Sequence, residues 1–226
     1  GWCGDGEDSE ATSRGGGVSV RDGRLQVSGA NLSGNVCRYG GGGVHAVDSD
    51  IDGYGSTFDR NEAGTGGAVR MIRSDMVLDA ASFTDNTARN NGGALAVVRN
   101  STATVQGTFS ANVAGTMGGA LYADNAGTSV VLDGSTVEYN DARWGGGAYV
   151  TRGASLDVRG STFTANSGDG VYMASSDASF STMKPSHMGA SDAMGAEADL
   201  RTLDGSIMDL SASDSLVCDA SGCSSF

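Results

Sequence analysis

The sequence predicts an all-β fold, a right-handed parallel β-helix (β-solenoid) of about six to seven coils of ~26 residues with irregular, capped ends. The first observation is a repeated phrase in which Ser or Thr, Phe, two residues, Asn, one residue and Ala precede Gly-Gly-Ala. Clear copies stand at residues 57–68, 82–94 and 108–120. Similarity at one fixed period of this size indicates a solenoid, because each repeat is one structural unit that stacks on its neighbours.

Short strands are the second observation. Apolar residues alternate with other residues just before the Phe position or its equivalent, at Leu25/Val27, Met76/Leu78, Ala103/Val105, Val130/Leu132 and Leu156/Val158. Alternation at period two indicates half-buried strands. Leucine-rich and ankyrin repeats contain a helical half, and the repeat shows no helical periodicity, so β-coils are favoured.

The third observation is an asparagine that recurs every 25 to 28 residues, at Asn35, Asn61, Asn86, Asn112, Asn140 and Asn166. Equivalent residues of neighbouring coils lie about 4.8 Å apart, one above the other. We therefore expect these amides to form a hydrogen-bonded ladder at a corner. Asparagine also tolerates the left-handed backbone that a sharp corner needs.

The remaining repeat positions have structural roles of the same kind. Inward-facing phenylalanines are expected to stack as a second ladder, formed by Phe58, Phe83, Phe109 and Phe163. Glycine makes up 37 of the 226 residues, and its pairs recur at one phase of the repeat, where they allow a tight corner. We predict one domain, 1–226, with a cap over 1–15, coils over 16–182, and an irregular last turn and C-terminal cap over 183–226.

The four cysteines lie near the two ends of the chain, outside the regular repeats: Cys3, Cys37, Cys218 and Cys223. We predict two disulfides, Cys3–Cys37 and Cys218–Cys223, with free buried thiols as the alternative. Disulfides form in oxidising compartments, so the pattern predicts an exported protein that is extracellular or on the cell surface.

The charge of the chain limits its partners. The net charge is −13 and Lys184 is the sole lysine, a balance that disfavours binding to nucleic acid. The sequence has no run of 18 apolar residues, so membrane insertion by this chain is not expected.

One acidic segment matches the start of a calcium loop. Asp48, Asp50 and Asp52 precede Gly53 with the required spacing, and Asp59 falls at the twelfth position. The alternative is an acidic strand whose carboxylates face solvent. Calcium is thus one candidate, and no other cofactor is predicted.

Two further sets of side chains are candidates for binding. Exposed aromatics are expected near the Gly-Gly corner, where they would stack on sugars or a partner or pack the corner itself: Tyr122, Trp144, Tyr149 and Tyr172. A hydroxyl column precedes the Phe ladder, suited either to strands or to an ice-binding array: Thr57, Ser82, Thr108, Thr136 and Thr162.

The repeats resemble those of the polymorphic outer membrane proteins, bacterial surface autotransporter passengers that adhere to host cells. The resemblance rests on the Phe-x-x-Asn and Gly-Gly-Ala motifs over residues ~30–171, and the tail 217–223 resembles the ends of secreted right-handed parallel β-helix repeat proteins. It implies a non-enzymatic, adhesin-like protein that binds a cell surface or glycan through its side faces.

Two other functions stay open. A structural subunit would polymerise end to end with copies of itself into an extracellular fibre or sheath, because a head-to-tail contact that does not close gives a filament. A glycan-active lyase or hydrolase is the other alternative. However, the pectinase-like signatures Asn-Thr-Asp, Gly-His-Gly and Arg-Ile-Lys are absent from the sequence. Neither His45 nor His187 belongs to a visible catalytic triad. We therefore predict that the chain is not an enzyme.

Overall fold

The structure, a computed structural model, describes residues 15–167, 170–174, 177–181, 200–203, 207–209, 216–219 and 222–225, with side chains for the first two ranges only. All of the secondary structure in these ranges is β. The predicted N-terminal cap lies almost wholly outside the described residues, as does much of the predicted C-terminal cap.

The strands, numbered in chain order, form three parallel sheets and one hairpin. The eight-stranded sheet contains, in spatial order, β1 (Val18–Arg21), β4 (Val44–Val47), β8 (Val69–Ile72), β11 (Leu95–Val98), β14 (Leu121–Asp124), β18 (Ala148–Thr151), β21 (Val171–Ala174) and β23 (Leu200–Leu203). The four-stranded sheet contains β7 (Glu62–Ala63), β10 (Thr87–Ala88), β13 (Val113–Met117) and β17 (Asp141–Trp144).

The twelve-stranded sheet is the largest. Its main path contains β2 (Arg24–Gln26), β5 (Asp50–Tyr54), β9 (Asp75–Thr84), β12 (Thr102–Ser110), β15 (Ser129–Asp133), β19 (Ser155–Arg159), β22 (Asp177–Ser181) and β24 (Ile207–Asp209). Short strands continue four of these coils, namely β3 (Asn31–Ser33), β6 (Thr57–Asp59), β16 (Thr136–Glu138) and β20 (Thr162–Thr164). The hairpin is β25 (Leu216–Asp219) with β26 (Gly222–Ser225).

Each strand of the three parallel sheets pairs with the equivalent strand of a neighbouring coil. Leu95, for example, lies opposite Val69 in the preceding coil and Leu121 in the following one. This arrangement is a β-solenoid, and it confirms the predicted all-β parallel fold. The polypeptide therefore repeats its path about every 26 residues, so that equivalent segments of successive coils stack in the same sheet.

The core is a stack of inward-facing side chains. The rings of Phe58 and Phe83 lie 4.8 Å apart and those of Phe83 and Phe109 lie 4.6 Å apart, with interplanar angles of 6° and 5°. These distances match the spacing of the strands that carry the rings. Val137 occupies the next place in the column and Phe163 the place after it, and both are buried.

The asparagine column runs along one corner of the solenoid. The backbone N–H and the side-chain Nδ2 of Asn61 both donate to Oδ1 of Asn86, each at 3.0 Å. Nδ2 of Asn61 also donates to the carbonyl of Leu32 in the preceding coil, at 2.8 Å. The same bonds recur from Asn86 to Asn112 and from Asn112 to Asn140. Because the column is buried, each rung satisfies polar groups whose exposure to an apolar core would cost about 1–3 kcal/mol apiece.

A buried serine column, Ser49, Ser74 and Ser101, stabilises a second corner and was not predicted from the repeat. The backbone N–H of Ser49 donates to Oγ of Ser74, and that of Ser74 donates to Oγ of Ser101. Each hydroxyl in turn donates to the carbonyl that ends the preceding strand, as Ser74 does to Ile72 at 2.9 Å. Serine occurs throughout the chain, so only its spacing of 25 to 27 residues distinguishes these positions.

The two glycines of each pair have different structural roles. The first glycine adopts a left-handed conformation, with φ of 68° at both Gly66 and Gly92. The second allows close approach of the neighbouring coil, since a Cβ on Gly67 would lie 2.0 Å from the carbonyl oxygen of Gly93. Any side chain at the second position would therefore push two coils apart.

Candidate functional site

The outer face of the eight-stranded sheet is largely covered from β4 to β21, whereas the outward residues of β1 are exposed. All four residues of β4, β11 and β14 are buried, although alternate residues of a strand point to opposite sides of the sheet. The outward residues form a second apolar cluster, separate from the core, against which Met117 and Trp144 pack. This face is therefore an interior surface of the protein.

A tyrosine column, Tyr122, Tyr149 and Tyr172, forms part of this cluster. The three side chains are only 7–8% exposed, and Trp144 is half-buried. The rings of Tyr149 and Tyr172 stack at 4.9 Å, and those of Tyr122 and Tyr149 lie 6.0 Å apart. The expectation that these aromatics are exposed is wrong, because the Gly-Gly corner and its neighbouring segments lie over them.

A buried carboxylate lies beside the tyrosine column. Asp124 accepts hydrogen bonds from Nε and Nη2 of Arg152, whose own side chain is largely exposed. Burial raises the pKa of Tyr122 to about 12, helped by the negative charge of Asp124 and a hydrogen bond to it. Burial also raises the pKa of Tyr149, with a contribution from Tyr172. The tyrosine column and the Asp124–Arg152 pair stabilise the covered face. A ligand could reach the tyrosine rings only by displacing Met117 and Trp144.

The outer face of the twelve-stranded sheet, in contrast, is open. Its strands alternate between buried and exposed residues, as in β9, where Met76 and Leu78 face the core and the residues between them face outward. The outward residues are mainly hydroxyls and carboxylates. The hydroxyl column that precedes the Phe ladder lies here and is half-buried: Thr57, Ser82, Thr108, Thr136 and Thr162. A second outward column lies beside it, formed by Asp59, Thr84, Ser110, Glu138 and Thr164.

An exposed apolar pair interrupts this polar face in the second and third coils. Tyr54 is 63% exposed and Val77 is 58% exposed. Val77 lies opposite Asp52, and Tyr54 lies opposite Asp79, so the two apolar side chains are diagonal neighbours on adjacent strands. We call Tyr54, Val77 and Asp79 the Tyr54 patch. It offers an aromatic ring, an aliphatic surface and a carboxylate at neighbouring positions of two adjacent strands.

The backbone around the patch has a local irregularity. Ala80 follows Asp79 in the left-handed region with φ of 50°, and Gly55 does the same after Tyr54 with φ of 64°. The register between β9 and β12 shifts at this point. One residue separates Val105 from Gly107 on β12, whereas two residues separate their partners Leu78 and Ala81 on β9. A bulge of this kind bends a strand and re-aims its side chains.

The predicted calcium ligands lie apart. Asp48 precedes β5 and receives two hydrogen bonds from Arg73, at 2.7 and 2.9 Å, which lower the pKa of its carboxyl group. Asp52 pairs with Arg24 at 2.6 Å, and Asp59 pairs with Arg60 at 2.7 Å. Within the part of the chain that the structure describes, no group of three or more His, Cys, Asp or Glu residues could hold a metal ion. Calcium binding here stays a prediction that rests on sequence spacing alone.

The cysteines are only partly described. Cys37 is buried and is in a disulfide bond, but its predicted partner Cys3 lies outside the described residues. Cys218 and Cys223 lie directly opposite each other on the two strands of the hairpin. Both predicted pairings stay predictions, and the register of the hairpin is compatible with the second one, Cys218–Cys223.

Comparison with known proteins agrees with this architecture. No helix in the described ranges is long and apolar enough to cross a membrane. Searches of curated proteins and of solved structures found no match to the chain. The family described as "right handed beta helix region" matches residues 7–184, which is most of the chain and includes every coil with described side chains. The chain thus belongs to the right-handed β-helix family.

Proposed function

We propose that the chain is an exported, non-enzymatic binding protein that holds an extended glycan, such as one on a cell surface, against the outer face of the twelve-stranded sheet. One observation carries the proposal. Tyr54 and Val77 are two of the three most exposed large apolar side chains among the described residues, and they are neighbours on this face.

An aromatic ring beside hydrogen-bonding groups suits a sugar. The apolar side of a pyranose ring packs on an exposed tyrosine, whose ring is a rigid apolar surface with a polar tip. The sugar hydroxyls then need donors and acceptors at the edge of that ring, and Asp79 lies opposite Tyr54 for this purpose. Thr104 continues the polar surface beside Val77 in the next coil.

The regularity of the face favours a polymer. Outward residues of successive coils repeat at the strand spacing of about 4.8 Å, so the surface presents similar groups many times along the solenoid axis. Many weak and similar contacts give useful affinity when they are linked in one chain. Binding through such a surface needs no reacting centre, which is why we propose binding rather than catalysis.

The test compares two tyrosines of nearly equal exposure. Binding of the chain and of two variants to an array of immobilised plant, fungal and bacterial polysaccharides would be measured by fluorescence. Tyr54→Ala should lose at least about fivefold in affinity for any glycan that is bound, if a sugar stacks on the ring as strongly as a nucleobase does, at roughly 1–3 kcal/mol. Tyr139→Ala is the matched control, because Tyr139 is 60% exposed but lies at a corner away from the patch.

The outcomes are distinct. Equal losses from both variants, or no binding to any glycan, would overturn the proposed function. New reducing ends in a bound polysaccharide after incubation with the chain would show catalysis, and the non-enzymatic part of the proposal would then be wrong.

A further inference from the structure

We infer that the glycan held by the Tyr54 patch is a polymer of amino sugars with free, protonated amines. The inference rests on the proposed function and names the class of its ligand. It joins the exposed apolar pair to the charged side chains on the surrounding face.

The arginines on this face are already engaged. Arg24 pairs with Asp52, Arg60 with Asp59 at the short strand β6, and Arg159 with Asp157. Arg24, Arg60 and Arg159 each use their guanidinium group on a carboxylate of the same sheet. On the described part of this face, an acidic polysaccharide would therefore meet arginines that each already have a carboxylate partner.

Several carboxylates on the face are not engaged in this way. Asp75, Asp79 and Asp133 are exposed, and none of them makes an ion pair with another described residue. Asp75 accepts one hydrogen bond, from the hydroxyl of Thr102 at 2.5 Å. Asp50 lies directly opposite Asp75 on the adjacent strand, and like charges opposite each other in a sheet are unfavourable. The face thus carries negative charge that a bound cation would neutralise.

The position of Asp79 relates that charge to the aromatic ring. Because Tyr54 and Asp79 are register partners, an amine on the edge of a sugar stacked on Tyr54 would come within reach of the Asp79 carboxylate. Asp75 lies four residues before Asp79 on β9, about 13 Å along the strand, and Asp50 lies opposite Asp75. Amines further along a polymer that follows these strands would come towards this second pair of carboxylates. A uronic acid polymer would instead bring like charge to this surface, on a chain whose net charge is −13.

The experiment uses three soluble oligosaccharides with the intact chain: a glucosamine oligomer, the same oligomer N-acetylated, and a galacturonate oligomer. Affinities would be measured by calorimetry at about pH 5.5, where carboxylates and sugar amines are both charged. We expect the glucosamine oligomer to bind at least about tenfold more tightly than its acetylated form, with no binding of the galacturonate. Added salt should weaken the first interaction much more than the second.

A matched pair of charge variants separates specific from general attraction. A net charge of −13 attracts any polycation, so the loss of one carboxylate must be compared at two places. Asp79→Asn should weaken glucosamine binding about five- to tenfold and leave binding of the acetylated oligomer within about twofold. Asp85→Asn removes the same charge from an exposed corner outside the patch and should change neither affinity by more than about twofold.

Each result has one meaning. Equal affinity for the two glucosamine forms, preference for galacturonate, or equal effects of Asp79→Asn and Asp85→Asn would overturn the inference while the proposed function stands. A failure of all three oligomers and of the polysaccharide array would overturn the proposed function itself.

Discussion

The outer faces of the two large sheets belong to the same coils, yet one is covered and the other is open. In the coil that holds β14 and β15, the outward residues Tyr122 and Asp124 are buried, whereas Val131 and Asp133 are half-buried and exposed. The strand geometry is the same on both sheets. Alternation along a strand therefore determines which residues lie on the same face. Whether that face is buried or exposed depends on the segment that packs next to it.

The covering segment is the path from the asparagine corner to the glycine pair. It contains Met117 and Trp144, which pack on the tyrosine column, and Arg143 lies 4.4 Å from the centre of the Trp144 ring. A Cβ on Gly145 would lie 3.2 Å from the Cβ of Tyr149, so the backbone itself lies against this face. Among the residues that the structure describes, no equivalent segment lies over Tyr54 and Val77.

The largest expected effect is on stability and contrasts two tyrosines. Tyr149→Ala should lower the free energy of unfolding by about 3–5 kcal/mol, because it removes a buried ring from between two others. Tyr54→Ala should change it by less than about 0.5 kcal/mol, because the ring is mostly in water. Urea unfolding followed by circular dichroism measures both. Similar losses from the two variants would break the comparison between the faces.

The second effect is a loss of stability at alkaline pH. A tyrosine ionises near pH 10 in the unfolded chain, and the pKa of Tyr122 is about 12 in the folded protein. Between these two pKa values the unfolded state releases the proton first. The contribution of protonated Tyr122 to the free energy of unfolding is therefore complete below pH 10 and declines as pH rises. The expected loss is about 1.4 kcal/mol per pH unit within this window. Tyr122→Phe should flatten this part of the stability profile, and an unchanged slope would contradict the assignment.

The third effect compares two ion pairs. Arg152→Ala should destabilise the protein by roughly 1–2 kcal/mol, because it leaves the buried Asp124 carboxylate, only 6% exposed, without its cation. Arg159→Ala removes the partner of Asp157 on the open face and should cost less than about 0.5 kcal/mol. Thermal unfolding of the two variants at low and high salt gives the contrast. A larger loss for Arg159→Ala would show that the open face is covered after all.

The smallest effect is a gain. Ala80→Gly should stabilise the protein by roughly 0.5 kcal/mol, because an alanine in the left-handed region is strained and the penalty exceeds the added flexibility of glycine. Glycine already occupies the equivalent bend at Gly55 and Gly134. Ala81→Gly, at the buried neighbour, is the control and should destabilise. A loss of stability for Ala80→Gly would mean that this bend has a tighter environment than its neighbours.

The coil register could be predicted from the sequence because stacking repeats one residue type at one place. Asn86 and Phe83 recur in phase with their equivalents, and no other arrangement satisfies both their burial and their hydrogen bonds. The diagonal contact of Tyr54 with Val77 was also accessible in principle. The interval between Asn61 and Asn86 pairs Tyr54 with Asp79, and three consecutive apolar residues at 76–78 mark an outward Val77.

The covered face could not be predicted in the same way. Periodicity places Tyr149 outward on its strand, but nothing local to that strand shows that Trp144 and the glycine corner lie over it. Burial on this side depends on the path of a separate segment. For the same reason the spacing of Asp48 to Asp59 suggested a single loop, whereas a strand and a corner place three of those carboxylates beside three different arginines.

The asparagine column gives the solenoid an electrical direction. From Asn61 to Asn166, each Oδ1 accepts from the coil before it, so these amide oxygens point towards the N-terminal end and the side-chain dipoles add rather than cancel. Strand hydrogen bonds run both ways between coils, as from Val27 to Asp52 and from Glu62 to Asn35, and so largely compensate one another. Aligned dipoles leave opposite partial charges at the two ends of a stack, as they do in a helix. The asparagine side chains alone therefore give the solenoid a macrodipole along its axis, perpendicular to its strands.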